Sequence, residues 1–148
     1  MRAVVQRVSR AAVSTSDGVA GQIGRGLVVL VGIASGDGTA DIEYIASKIR
    51  ELRVFPDEHG KMNRSLAEAG GQLLVVSQFT LMGDVRRGRR PAFDGAAPPE
   101  RARVTFEALL DQLRAGGPVE TGVFQAHMDV ALNNDGPVTV LLDSRRTF

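Results

Sequence analysis

The stretch GLVVLVGIA, Gly26 to Ala34, decides the fold class. It is a continuous apolar run, rich in β-branched residues and opened by glycine. A strand turns successive side chains to opposite faces, so an unbroken apolar strand is covered on both. The run therefore reads as a central strand, and the rest of the chain must supply cover on each side. QLLVVSQFTL, Gln72 to Leu81, reads as a second strand of the same kind.

Upstream of Gly26, Arg2–Val8 reads as a β-branched strand. AAVST and VAGQIG flank the turn signal Ser16-Asp17-Gly18 and read as a hairpin. Downstream, Ile42, Ile45, Ile49 and Leu52 recur at helical spacing, so Ala40 to about Arg53 reads as an amphipathic helix with Thr39 as its cap. Pro56–Lys61 reads as a turn. A second helix starts at Pro98-Pro99, shows Ala102, Phe106, Leu109, Leu110 and Leu113 on one face, and ends near Gly116. Closing strands are expected around Val119–Val123, Met128–Asn133 and Val138–Asp143. The expected fold class is α+β: a single domain over residues 1–148, with a mostly antiparallel sheet or partial β-barrel and two packed helices.

Composition narrows the function. The chain has 148 residues, 43% of them hydrophobic, enough for one real core. It has no cysteine, which excludes disulfides, a thiol nucleophile and thiolate metal sites. The start is not a convincing signal peptide, because Arg2, Arg7 and Arg10 interrupt any apolar segment. No apolar stretch reaches membrane-spanning length. A cytoplasmic protein without metal or other cofactor is expected. With a net charge of +1 the whole surface is not that of a basic nucleic-acid binder, but charge is uneven. RRGRR, Arg86 to Arg90, lies in a long loop, Gly83–Pro99, rich in glycine, proline and arginine. Arginine suits bidentate phosphate binding, and the glycines and proline favour an ordered anion-binding loop over a solvated one.

Hydrolytic motifs of the common kinds are missing. The two histidines, His59 and His127, do not form a zinc spacing with the carboxylates, and no G-x-S-x-G elbow occurs. GQIGRG, Gly21 to Gly26, has the wrong glycine spacing for a phosphate loop and reads as a hairpin turn. GGQ, Gly70 to Gln72, is a tripeptide that release factors use; here it reads as a turn before a strand. Ser77, Gln78 and Thr80 follow directly on the apolar LLVV. In a strand Gln78 and Thr80 share one face, Ser77 and Phe79 the other. Such polar residues are either hydrogen-bonded core groups or a site. Gly136-Pro137 stands where a strand begins, although proline cannot donate to a ladder. It is either a strand-starting turn or a stiff piece of backbone aimed at something.

MRAVVQRVSRA, GKMN (Gly60–Asn63), LLVVSQFTL, GRRPAF, GAAPPE, VETG and NDGPVT occur together along the chain. In this combination the sequence resembles the D-aminoacyl-tRNA deacylase family. Ser77-Gln78-Phe79-Thr80 matches its SQxT signature and Gly136-Pro137-Val138-Thr139 its GPxT signature. The resemblance implies a homodimer acting on the tRNA acceptor end carrying a D-amino acid or glycine. It implies a cis Gly136–Pro137 bond whose carbonyls grip the substrate's α-amino group in the partner's site, with Thr139 in the same motif. Gln78 and backbone N–H groups, with Ser77, would shape the carbonyl pocket. Either the Thr80 hydroxyl attacks, or the tRNA's 2′-OH assists a water. The second is favoured, since no base lies near Thr80 in sequence. Phe79 would stack near the adenosine or line the pocket, Met128 would be pocket-side, and Arg86, Arg87, Arg89 and Arg90 would meet tRNA phosphates. The chain departs from the family's common FGADM at Gln125 and His127, and has Ala92 where serine is common.

Overall fold

The computed structural model describes residues Met1–Phe148. Its sheet is organised around one long strand, β1 (Arg2–Thr15). On one edge β1 pairs antiparallel with β2 (Gly18–Ile23) along its second half and with β3 (Gly26–Gly32) along its first. On its other edge lies β8 (Asp129–Asp143), antiparallel over nearly the whole length. The expected break after Val8 does not occur: Ser9 and Arg10 are exposed, but they remain in the strand.

Beyond β3 the sheet turns parallel. β6 (Gln72–Ser77) pairs with β3, and the two-residue β7 (Glu120–Thr121) pairs with β6. Helix α1 (Thr39–Glu51) leads from β3 toward a small two-stranded unit, β4 (Phe55–Pro56) and β5 (Met62–Arg64), which carries the Pro56–Lys61 turn. Helix α2 (Pro99–Arg114) starts with Pro99 in its first turn, where a missing N–H costs nothing. The α+β class with two helices holds, and the sheet curls into a nearly closed, barrel-like form.

Alternation along β3 and β6 shows why Leu27–Val31 and Leu73–Val76 are unbroken apolar runs. Leu27, Val29, Val31, Leu73 and Val75 face a large core with Ile45, Ile49, Phe106, Leu109 and Leu113 from the helices. Val28, Leu74 and Val76 face a second core with Val8, Val13 and Ile23. Gly26 permits the close start of the parallel pair: a Cβ there would lie 1.8 Å from the Gln72 carbonyl oxygen. In GGQ, Gly70 adopts a positive φ of 64°, and the Gln72 side-chain oxygen accepts from the Gly24 N–H at 2.6 Å, so that glutamine is structural.

Four local expectations are corrected. Gly38, not Thr39, caps α1, and its N–H is held by the Asp41 carboxylate at 2.9 Å. The second apolar strand ends at Ser77 rather than Leu81; a 3-10 turn, Phe79–Met82, follows. The strand around Val119–Val123 shrinks to Glu120–Thr121. Finally, the last two expected strands are one, β8, with a register break inside it.

Candidate active site

That register break is the first half of the site. Val8 pairs with Asn134 and Gln6 with Thr139, so Asp135, Gly136, Pro137 and Val138 all stand opposite the single residue Arg7. A ladder that must absorb those extra residues pushes them out as a bulge. Gly136 and Pro137 are exposed at its tip, their peptide bond is cis, and Gly136 has a φ of 128°. They do not start a strand; they protrude from the middle of one.

The bulge is fastened from below. Arg7 Nε donates to the Asp135 carbonyl at 3.2 Å and lies 3.2 Å from its carboxylate, while Nη1 donates to the Val54 carbonyl at 2.6 Å. The Asn134 amide bridges the neck, donating to the carbonyls of Arg7 and Val138, each at 2.9 Å. The Thr139 hydroxyl donates to Asn134 Oδ1 and accepts from Gln6 Nε2, both at 3.3 Å. Periodicity singles out neither Arg7 nor Asn134. The signal available is the pair of asparagines before Gly-Pro, a side chain that bonds nearby backbone readily.

The second half is the turn after β6. Gln78 is held by its own N–H, which donates to the Val31 carbonyl at 2.7 Å. The strand then ends, so the facing expected of Gln78 and Thr80 in a strand does not apply. The two still meet: Gln78 Nε2 donates to Thr80 Oγ1 at 3.0 Å, and both are open to solvent or half-buried. Phe79 is 60% exposed and sets its ring edge-on to Phe93 at 5.0 Å. Ser77 is half-buried and still in the strand, paired with Val31. No carboxylate or imidazole reaches the Thr80 hydroxyl; its side-chain partner is a neutral amide. The turn rests on Gly32, where a Cβ would meet Leu81 Cβ at 2.9 Å and the Gln78 carbonyl at 3.0 Å.

Met128 lies between these regions in sequence and is half-buried against the second core. Its sulfur accepts from the Val123 N–H at 3.4 Å, and Gly122 makes room for it. The departure at Gln125 has a visible consequence. Gln125 has a φ of 64°, where glycine is the ordinary occupant, and its side-chain oxygen is held by Arg103 Nη2 at 3.1 Å. Arg103 also lies over the Phe124 ring, 4.6 Å from its centre.

The arginine loop is ordered at its base. Asp84 and Ala92 exchange backbone hydrogen bonds of 2.7 and 2.9 Å, which makes Asp84–Ala92 a closed hairpin with RRGRR at its tip. The four arginines are not equivalent. Arg86 is clamped by Asp84 through two side-chain bonds, 2.9 and 2.6 Å, and that contact holds the Asp84 carboxyl well below its ordinary range. Arg87, Arg89 and Arg90 are exposed and form no ion pair. No three His, Cys, Asp or Glu side chains converge as a metal-binding group.

A family model described as D-Tyr-tRNA(Tyr) deacylase matches residues 4–143, which include both halves of the site. The chain belongs to this family. By class it is a hydrolase of ester bonds. Relatives named D-aminoacyl-tRNA deacylase include one from Symbiobacterium thermophilum, 60% identical over 100% of this chain and 99% of the relative. Another, from Anaeromyxobacter dehalogenans, is 59% identical with both chains fully covered. Among solved structures, a c-Myc DNA unwinding element binding protein superposes with a TM-score of 0.92 at 42% identity, covering 97% of this chain and 98% of that one. A probable eukaryotic D-amino acid tRNA deacylase, at 17% identity, shares the fold with a TM-score of 0.81 over 95% and 97% of the two chains. Within this deacylase family member, no hydrogen bond or ion pair joins the Gly136–Pro137 bulge to the Gln78–Thr80 turn. Arg7, beneath the bulge, and Arg2, beside the turn, are five residues apart on β1, roughly 16 Å along an extended strand.

Proposed function

We propose that this chain hydrolyses the ester joining a D-amino acid to the terminal adenosine of tRNA, releasing the free amino acid and tRNA. The observation that carries the reading is the Gln78–Thr80 pair, 3.0 Å apart on a turn that follows a strand buried from Leu73 to Val76. An aminoacyl ester is already activated, so fixed polar groups that hold its carbonyl and stabilise the developing oxyanion suffice. Gln78 and neighbouring backbone N–H groups take that role, with Ser77 supporting the turn from the strand. Phe79 and Met128 line the pocket. Because the partner of Thr80 is a neutral amide, the tRNA's own 2′-OH is the better assistant for the attacking water.

The other half of the site comes from a second copy. Within one chain no hydrogen bond links the bulge to the turn, and Phe79 and Leu141 are left 60% and 57% exposed, which suits a homodimer. Gly136 and Pro137 of the partner subunit then present carbonyl oxygens to the substrate's α-amino group. With the amino group and the ester carbonyl both fixed, the side chain can point only one way: outward for a D residue, into protein for an L residue. Glycine has no side chain to clash, so glycyl-tRNA mischarged on alanine tRNA is accepted as well. Arg87, Arg89 and Arg90 meet phosphates of the acceptor end, and the work is done in the cytoplasm, where aminoacyl-tRNA is found. No helix is long and apolar enough to cross a membrane.

The test is single-turnover deacylation of D-tyrosyl-tRNA and L-tyrosyl-tRNA side by side, with chelator present. Fast loss of the D ester with the L ester spared is expected. Equal rates would remove chiral selection from the reading. The three unpaired arginines, with the 42% identical neighbour described as a DNA-binding protein, favour a second reading: a nucleic-acid-binding module without turnover. Binding of tRNA with loss of neither ester would select it.

A further inference from the structure

We infer that Arg2 is a positioning residue for the turn that carries Gln78 and Thr80; the inference rests on reading that turn as the hydrolytic site. Arg2 sits in the β1 ladder between Gly32 of β3 and Asp143 of β8. Its guanidinium leaves the sheet in the direction of the turn, and Nη1 donates to the Leu81 carbonyl at 3.2 Å.

That carbonyl is one that the turn cannot satisfy by itself. Within the turn the Leu81 N–H donates to Gln78 O at 3.3 Å and the Gly83 N–H to Thr80 O at 3.0 Å. The last carbonyls of any helical turn lack donors from within it. No backbone N–H reaches Leu81 O, so Arg2 supplies the donor, and it places a positive charge at the negative end of the turn. The arginine is itself aimed. Nε lies 3.7 Å from the Asp143 carboxylate, which the Arg145 N–H holds at 2.9 Å and the Thr147 hydroxyl also holds. The turn is thus fixed on two sides, with Gly32 setting its depth and Arg2 its far end. Leu81 follows Thr80 directly, so a swing at that carbonyl moves the hydroxyl and the amide paired with it. Arg2 touches no reacting atom; it acts through the main chain of the turn.

The side chain of Arg2 is 41% exposed, so replacing it leaves no sealed gap in the core. The experiment compares Arg2→Gln and Arg2→Lys with wild type by single-turnover deacylation of D-tyrosyl-tRNA, by tRNA affinity and by amide hydrogen exchange. Arg2→Gln should lower the rate constant at saturating enzyme on the order of tenfold, because small displacements of positioned groups are costly. Affinity for tRNA and melting temperature should stay near wild type. Arg2→Lys keeps a charged donor of nearly the same reach, which the shorter glutamine amide lacks, and should recover most of the loss. In Arg2→Gln, exchange at the Leu81 and Gly83 amides should rise about tenfold while Leu74–Val76 stay protected. A wild-type rate constant and unchanged exchange in Arg2→Gln would overturn the inference. So would a loss matched wholly by a lower melting temperature. If wild type itself hydrolyses neither ester, the function reading fails, and the exchange of the two turn amides alone decides the role of Arg2.

Discussion

Two residues test the proposed hydrolytic role of the Gln78–Thr80 turn. Thr80 hydrogen-bonds a neutral amide and no base, so replacing its hydroxyl should not abolish chemistry that relies on the substrate's 2′-OH. Thr80→Val is expected to retain activity within about tenfold of wild type, whereas removal of an activated nucleophile costs many orders more. Substrates ending in 2′-deoxyadenosine should lose far more than the variant does. The reverse pattern, a dead variant and an indifferent deoxy substrate, would make Thr80 the nucleophile. Gly32 is the second. An alanine there presses on the Gln78 carbonyl at 3.0 Å and on Leu81 and Met82 side chains at 2.9 and 3.0 Å. Overpacking of that kind costs about 1–3 kcal/mol. Gly32→Ala should therefore lower the urea midpoint modestly and the deacylation rate more sharply, because the atoms displaced belong to the turn itself. A stability loss with unaltered rate per folded molecule would show that the turn adjusts freely.

At the level of elements, the arginine hairpin divides its charges. Arg86 is occupied by Asp84, so on the proposed reading the charge that meets phosphate resides in Arg87, Arg89 and Arg90. Replacing those three by alanine should weaken tRNA binding and reduce the slope of log affinity against log salt by about two to three, close to one for each phosphate no longer neutralised. Arg86→Ala alone should change the slope little. An unchanged slope in the triple variant would remove the hairpin from the interface. The end of β8 supports a prediction about acid. Burial raises the carboxyls of Asp41 and Asp143, but hydrogen bonds outweigh it: Ser144 and the Gly38 N–H for Asp41, Thr147 and the Arg145 N–H for Asp143. Both end below their ordinary range. A carboxyl lowered in the folded state stabilises it above the unfolded value, near 3.9, and that contribution is lost as pH falls through the folded value. Urea midpoints should be flat from neutrality to about pH 4 and drop below it. Asp143→Asn should start lower and fall less steeply. A decline already complete by pH 5 would sink this assignment. The same elements show what the sequence could reveal. β3 and β6 were legible because apolar side chains on both faces leave no other reading. The unity of β8 was not, because Asp135, Gly136, Pro137 and Val138 carry no strand pattern and the ladder resumes only at Thr139. The unity of β1 was hidden for a similar reason: Ser9 and Arg10 are exposed on a strand whose other residues are mostly covered. The end of β6 was hidden by Phe79 and Leu81, apolar residues that continue a strand pattern while the backbone turns.

For the whole molecule, the separation of bulge and turn on β1 has a consequence that mixing experiments can read. If each site joins the turn of one chain to the bulge of another, two differently damaged chains can rescue each other. Gln78→Ala with Thr80→Ala damages the turn and leaves the bulge. Gly136→Val damages the bulge: its φ of 128° disfavours any side chain, and a Cβ would meet the Val138 backbone at 3.0 Å and the Arg7 guanidinium at 3.2 Å. Each homodimer should be nearly inactive. In the mixed dimer one site receives both damaged parts, and the other receives the intact turn of one chain and the intact bulge of its partner. Random reassortment makes about half the dimers mixed, so about one quarter of wild-type sites should reappear. Sites built within a single chain would recover nothing on mixing, since every chain would carry its own damage. Recovery that depends on denaturing and refolding the two chains together, and that fails when the intact homodimers are merely combined, would tie the rescue to exchange of subunits. That outcome would also explain why neither half of the site looks complete: the turn offers an amide and a hydroxyl with no grip on an amino group, and the bulge offers carbonyls with nothing beside them to hydrolyse.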